Sequence, residues 1–222
     1  MSTVRQTTPT PAPSERTEVR YAARGVYDRR VIDAILDEAL VCHVGFVDHG
    51  SPVVIPTLFV RRGDEMLLHG SPATRMLRIF KRGPEVSVSV TQVDGLVLAR
   101  SAFHHSANYR SVVVFGRTEP ILDLAERRVA LDAFVDKVAP GRRPHLRPMT
   151  DKEVRGTSVV RLPLDEASAK VRTGPPVDEE ADYELPIWAG VIPVTTRFGA
   201  PEPDPRQHPD AVTPAHLEAF DS

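Results

Sequence analysis

The chain holds one cysteine, Cys42, in 222 residues, which excludes an internal disulfide and a multi-cysteine zinc site. It has a single tryptophan, Trp188, and 4 lysines against 24 arginines. No apolar run approaches the roughly 18 residues that a membrane helix needs. The opening MSTVRQTTPTPAPS lacks the apolar stretch of a signal peptide. The expectation is a cytoplasmic protein without a membrane partner. An excess of either charge is also missing. With 28 Lys plus Arg against 30 Asp plus Glu the net charge is −2, so no broad field is available to hold a nucleic acid, and no nucleic-acid partner is expected. Any anion site must be local.

Proline, by contrast, is abundant, with 21 residues against a usual share of roughly 5%. Three fall in the first 14 residues and five in the last 26, which marks two low-complexity ends. The expected organisation is an N-terminal tail over residues 1–18, one folded domain over 19–197, and a proline-rich C-terminal tail over 198–222.

Asp28 can cap a helix that puts Val31, Ile32, Ile35, Leu36, Ala39 and Leu40 on one face. Short extended segments follow at Val41 to Val47, Pro52 to Val60, Glu65 to His69, Val86 to Thr91, Leu96 to Ser101 and Ser111 to Glu119. The separators are turn-formers, Asp48-His49-Gly50, Arg62-Gly63-Asp64 and Asp94-Gly95. A short helix from Pro72 to Lys81 interrupts them. A longer one, Leu124 to Val138, follows with Leu124, Val129, Leu131, Phe134, Val135 and Val138 as apolar members. A Thr150-capped turn and strands near Thr157 to Leu162, Ala169 to Arg172 and Val191 to Thr195 complete the domain. Six strands joined mostly by hairpins argue for an antiparallel barrel with helices at its edges, mainly β in the α+β class.

Three stretches carry candidate chemistry. In His69-Gly70-Ser71-Pro72-Ala73-Thr74-Arg75 a strand ends, Gly70 permits a turn, Ser71 is a good N-cap and Pro72 suits the first helical position. Free amides, the Ser71 and Thr74 hydroxyls and Arg75 can converge on a phosphate there. The plain alternative is a capped helix with a surface arginine. The second stretch runs from Ser101 to Ser111, with His104, His105, Asn108, Tyr109 and Arg110 at a strand exit and the next strand's entry. Adjacent side chains in a strand point to opposite faces, so His104 and His105 do not share one ion, and no metal site is expected. The third, Leu185-Pro186-Ile187-Trp188-Ala189-Gly190-Val191, holds Trp188 as either a packing plug or an aromatic wall.

Taken together these stretches resemble the FMN-binding split-barrel family typified by pyridoxamine 5′-phosphate oxidase, in its flavin-nucleotide-binding, nitroimidazole-reductase-like branch. The residues that carry the resemblance are Ile55 to Phe59, His69 to Ser71 with Arg75, Asn108 to Gly116, and Leu185 to Val191. It covers about residues 20 to 197. The resemblance implies a six-stranded antiparallel split β-barrel with flanking helices, forming a homodimer with FMN at the subunit interface. Pro56, Thr57 and Leu58 would line the flavin ring. His69, Gly70, Ser71 and Arg75 would surround the phosphate. Tyr109, Arg110 and Ser111 would approach from the next strand, and Trp188 from across the dimer. His69 is the candidate proton donor, with a structural histidine as the alternative.

The implied activity is an FMN-dependent oxidoreductase acting on a small conjugated or aromatic substrate. The alternatives are a flavin carrier or redox sensor, and a haem-binding split barrel with His104 or His105 as axial ligand. The Arg-x-x-Leu-Leu-Lys segment of the pyridoxamine 5′-phosphate oxidases proper is replaced by Gly50-Ser51-Pro52-Val53-Val54-Ile55, so vitamin B6 oxidation is not expected.

Overall fold

The computed structural model describes residues 13–220. The chain runs β1 (Gly25–Val26), α1 (Arg29–Glu38), β2 (Val41–Asp48), β3 (Ser51–Arg62), β4 (Glu65–Gly70), α2 (Arg75–Phe80), β5 (Glu85–Leu98), β6 (Ser106–Arg117) and β7 (Glu119–Pro120). It continues through α3 (Leu124–Val138), α4 (Asp151–Gly156), β8 (Ser158–Pro163), β9 (Glu166–Arg172) and β10 (Gly190–Pro193). The strands join in the order β1-β9-β6-β5-β2-β3-β4-β8-β7, with β10 added to β5. Every pairing is antiparallel. The sheet curls until β6 meets β8. A Cβ on Gly116 would lie 2.9 Å from Leu162 Cδ1, so only glycine permits that approach.

Strict alternation in the sequence decides what faces inward. Cys42, Val44 and Phe46 of β2, Val86, Val88 and Val90 of β5, and Val112 and Val114 of β6 fill the barrel. Ile32, Ile35 and Leu36 of α1 close it at the start of β2. Met76, Leu77 and Phe80 of α2 close it at the other end, where Phe80 meets Phe46 edge-on at 5.1 Å. A second core lies on the outside of β3, β4 and β8. There Val60, Leu67 and Val159 pack under Ala130, Leu131 and Phe134 of α3 and Val154 of α4. Thr150 and Glu153 form a reciprocal capping box that starts α4.

The barrel and its helices match the expected class, with four differences. Ten strands form among the described residues, where the sequence offered nine extended segments and the resemblance a six-stranded barrel. Asp94-Gly95 is a bulge within one continuous β5 and not a turn between two strands. Gly95 is there because β10 crowds it, with a Cβ landing 2.9 Å from Val191 Cγ1. The α2 helix begins at Arg75, capped by the Thr74 hydroxyl, because a turn from Ser71 to Thr74 precedes it. Leu124, Val129 and Val138 of α3 are exposed, and the helix buries Ala130, Leu131 and Phe134 instead.

Contacts extend into both segments expected as tails. Residues 1–12 of the expected N-terminal tail lie outside the described residues, but Thr17 is buried and Arg16 pairs with Glu85 and Glu166. Beyond residue 197, Phe198 packs on Phe220, and His216 stacks on His145.

Candidate functional site

The outward face of β2, β5, β6 and the first part of β3 lies outside the second core, in which α3 covers β3 at Val60. Register places its side chains in rows. Val54, Gly45, Ser87 and Phe115 form one row, and Pro56, His43, Ser89 and Val113 the next. Leu58 and Val41 pair directly, as do Thr91 and Ser111. Val41, Val54 and Leu58 stay exposed, Val54 by 64%. Small residues lie at the centre of this face. A Cβ built on Gly45 would lie 2.8 Å from Ser87 Oγ, and the neighbours of Gly45 across the sheet are the small Ser87 and Ser89.

The expected ring-lining residues divide by strand alternation. Pro56 and Leu58 point outward, whereas Thr57 pairs with Cys42, whose side chain is in the core. Tyr109 and Ser111 share one face of β6, with the ammonium of Lys170 5.8 Å from the Tyr109 ring centroid. Arg110 lies on the other face. Its Nε and Nη2 donate to Asp94 at 2.9 and 2.7 Å, and its Nη2 and Nη1 donate to the two Glu38 oxygens. The hydrogen bonds to Asp94 first and Glu38 second raise the pKa of the guanidinium further, and the same contact lowers that of Glu38. Arg110 is therefore a clamp between the end of α1 and the β5 bulge, with few donors left for a ligand.

Arg75 differs. Only its Nε is engaged, by Asp48 Oδ2 at 2.5 Å, and among the described residues Nη1 and Nη2 have no hydrogen-bond partner. Because α2 is only six residues long, the dipole argument for a phosphate there falls away, and the cationic side chain itself is what remains. Gly70 ends β4 and Ser71 opens the turn before it, the Ser71 hydroxyl accepting from Ala73 N–H at 3.3 Å.

His69 is one step beyond the last β3–β4 pair, Phe59 with Leu68, which puts it level with Leu58 on the outward face. Its ring lies against Phe134, its Nδ1 is buried without a partner among the described residues, and burial lowers its pKa. It sits where the open face meets the second core. Arg75 turns away from it toward the β2–β3 hairpin.

Trp188 is 67% exposed and covers Gly190, next to the far half of β5. In the turn before β6, His105 Nδ1 lies 2.9 Å from the Ser101 carbonyl oxygen, while His104 is edge-on to Phe103 with its Nε2 3.6 Å from Glu179. Cys42 is an inert core thiol, its pKa pushed up to about 12 by burial. Sequence reasoning missed Gly45, Ser87 and Ser89. The alternation Val86-Ser87-Val88-Ser89-Val90 was the available signal for the two serines, since it sends both of them outward.

Residues 28–171 match the family model described as pyridoxamine 5′-phosphate oxidase. The chain belongs to the pyridoxamine 5′-phosphate oxidase family. All four outward-facing strands lie within that matched span. Among solved structures, it is similar to the flavocytochrome Anf3 of Azotobacter vinelandii, with 45% identity over 95% of this chain and 98% of that one and a TM-score of 0.89. It is also similar to the FAD and haem binding protein of Mycobacterium smegmatis, with 37% identity over 89% of this chain and 97% of that one and a TM-score of 0.86. No curated protein matches. No helix among the described residues is long and apolar enough to cross a membrane. The family's barrel is thus present, with α3 and α4 built onto one side.

Proposed function

We propose that the protein is a flavin-dependent oxidoreductase working as a homodimer, with the flavin ring on the open face of β2, β3, β5 and β6 and the flavin phosphate at Arg75. The observation that carries this reading is the patch of small residues Gly45, Ser87 and Ser89 on that face, where a Cβ added at Gly45 would meet Ser87 Oγ at 2.8 Å. Pro56 and Leu58 border it, and Tyr109 and Ser111 extend it. Such a surface suits a planar ring, and its exposed valines and leucine suit the close approach of a second copy.

A bound flavin supplies the hydride chemistry. This chain supplies a seat of small and apolar side chains, a cation for the phosphate, and an imidazole at the edge of the seat. His69, disfavoured as a cation by burial, is suited to hold a proton at Nε2 beside a substrate. Between FMN and FAD, the likeness to the FAD and haem binding protein favours FAD. Both flavins offer a 5′-phosphoryl group to Arg75.

A second reading adds haem. It is supported by the names of the two relatives and by His105, whose Nδ1 hydrogen bond to the Ser101 carbonyl fixes the ring and leaves Nε2 as the free lone pair. Phe103, 90% exposed, and Leu96 and Ile192 give that end of the sheet an apolar surface. His104 is held between Phe103 and Glu179 and is the poorer ligand.

A visible spectrum of the freshly purified protein tests both readings. Flavin bands, with the released flavin identified by chromatography, are expected, together with a Soret band that shifts in His105→Ala. A colourless protein that takes up no added flavin sinks the first reading. A Soret band unchanged by His105→Ala sinks the assignment of that ligand. Bound flavin that neither NADH nor NADPH reduces marks a carrier or sensor in place of an enzyme.

A further inference from the structure

We propose that Asp48 is a positioning residue for the flavin phosphate, acting through Arg75; this rests on the flavin reading above. Asp48 ends β2 and is followed by the two-residue turn His49-Gly50, both at positive φ (48° and 80°), so its backbone sits at a stiff corner of the hairpin. The Asp48 side chain is 15% exposed and that of Arg75 is 50% exposed. An arginine on the first turn of a short helix has four rotatable bonds to freeze before it can grip anything. Asp48 Oδ2 takes the Nε and does part of that freezing before a ligand arrives.

The choice of nitrogen is what separates positioning from simple neutralisation. Asp94 grips Arg110 through both Nε and Nη2, and Glu38 takes the remaining end, so that guanidinium is saturated. Asp48 takes Nε alone from Arg75. Nη1 and Nη2 remain as a parallel fork, the geometry that binds two phosphoryl oxygens at once. The Asp48 charge also repels a phosphate, but the intervening guanidinium and the solvent at this half-exposed rim weaken that repulsion. Preorganisation of the fork outweighs it.

The test compares FMN with riboflavin, which lacks the phosphate, by fluorescence titration of the full chain after flavin removal. Asp48→Ala is expected to weaken FMN binding about tenfold and to leave riboflavin binding unchanged. Adding Asp48→Ala to Arg75→Ala is expected to cause no further loss. Equal weakening toward both flavins assigns Asp48 a merely structural role and overturns the proposal. So does FMN binding that is unchanged or tighter, or a further loss in the Arg75→Ala background. If Asp48→Ala does not fold, Asp48→Leu is run through the same cycle, with thermal melting as the folding control. Wild-type protein that binds neither flavin refutes the underlying reading. Wild-type protein that prefers FMN, with the preference lost in Arg75→Ala but kept in Asp48→Ala, refutes only the role of Asp48.

Discussion

The imidazole of His69 lies over the ring of Phe134 with centroids 4.0 Å apart and planes 54° apart, and its Nδ1 is buried with no partner among the described residues. Burial lowers its pKa from the ordinary 6.5. Between the folded and unfolded values the unfolded chain binds a proton that the native protein refuses, so stability rises with pH across that window and is complete above about 6.5. The urea midpoint of the wild type is therefore expected to fall more than that of His69→Gln between about pH 7.5 and about pH 5.5. His216, also lowered by burial, titrates in both proteins and cancels in the difference. Equal losses in the two proteins would remove His69 from the acid response.

Gly45→Val tests the seat directly. Valine suits a β-strand, so the barrel is expected to form, but its methyls would stand in the space that Ser87 Oγ already crowds. Overpacking of this kind costs about 1–3 kcal/mol. The expected result is a folded protein with at least tenfold weaker flavin binding and a larger monomer fraction in size-exclusion chromatography. Gly63→Ala, in the β3–β4 turn with open space around the Cβ, is the control. Its positive φ of 60° makes it slightly less stable, with flavin affinity unchanged. Wild-type flavin affinity in Gly45→Val would place the ring elsewhere.

Much of the fold was legible because the alternation was strict. Val41 to Asp48 and Val86 to Val90 send every second residue inward, and the structure follows that pattern. Helix caps at Asp28 and Thr150 were equally plain, since each side chain accepts the amide that its position predicts. Two features were hidden for physical reasons. Asp94-Gly95 carries turn chemistry, yet β10 needs a glycine at that point for its own approach, and a bulge satisfies both demands. Arg75 and Arg110 look alike as letters. Which of them is free depends on Asp48, Asp94 and Glu38, all distant in sequence from at least one partner.

Phe80→Ala is expected to be among the more destabilising single changes. The ring is fully buried, edge-on to Phe46 at one end of the barrel, and truncating such a residue costs about 3–5 kcal/mol. Val129→Ala on α3 removes a side chain that is 57% exposed and should stay within about 0.5 kcal/mol. Urea unfolding of both variants measures the contrast. A large loss in Val129→Ala would show that another chain covers this face of α3 in solution.

Arg110→Ala separates clamping from ligand binding. The guanidinium ties Glu38, the last residue of α1, to Asp94 in the β5 bulge, and about a third of its surface is exposed. Solvent screening keeps such pairs to about 1 kcal/mol, with some addition because two carboxylates share one cation. Removing that cation leaves Glu38 and Asp94 facing each other without compensation, so the pKa of Glu38, now held low chiefly by Arg110, is expected to rise. The melting temperature of Arg110→Ala should fall at neutral pH and recover part of the loss on acidification, as Glu38 takes up a proton. Flavin affinity should change much less than in Arg75→Ala, because the donors of Arg110 are already spent within the chain. A loss of flavin affinity equal to that of Arg75→Ala, with stability unchanged, would mean that Arg110 leaves its carboxylates and turns to the ligand when the flavin binds.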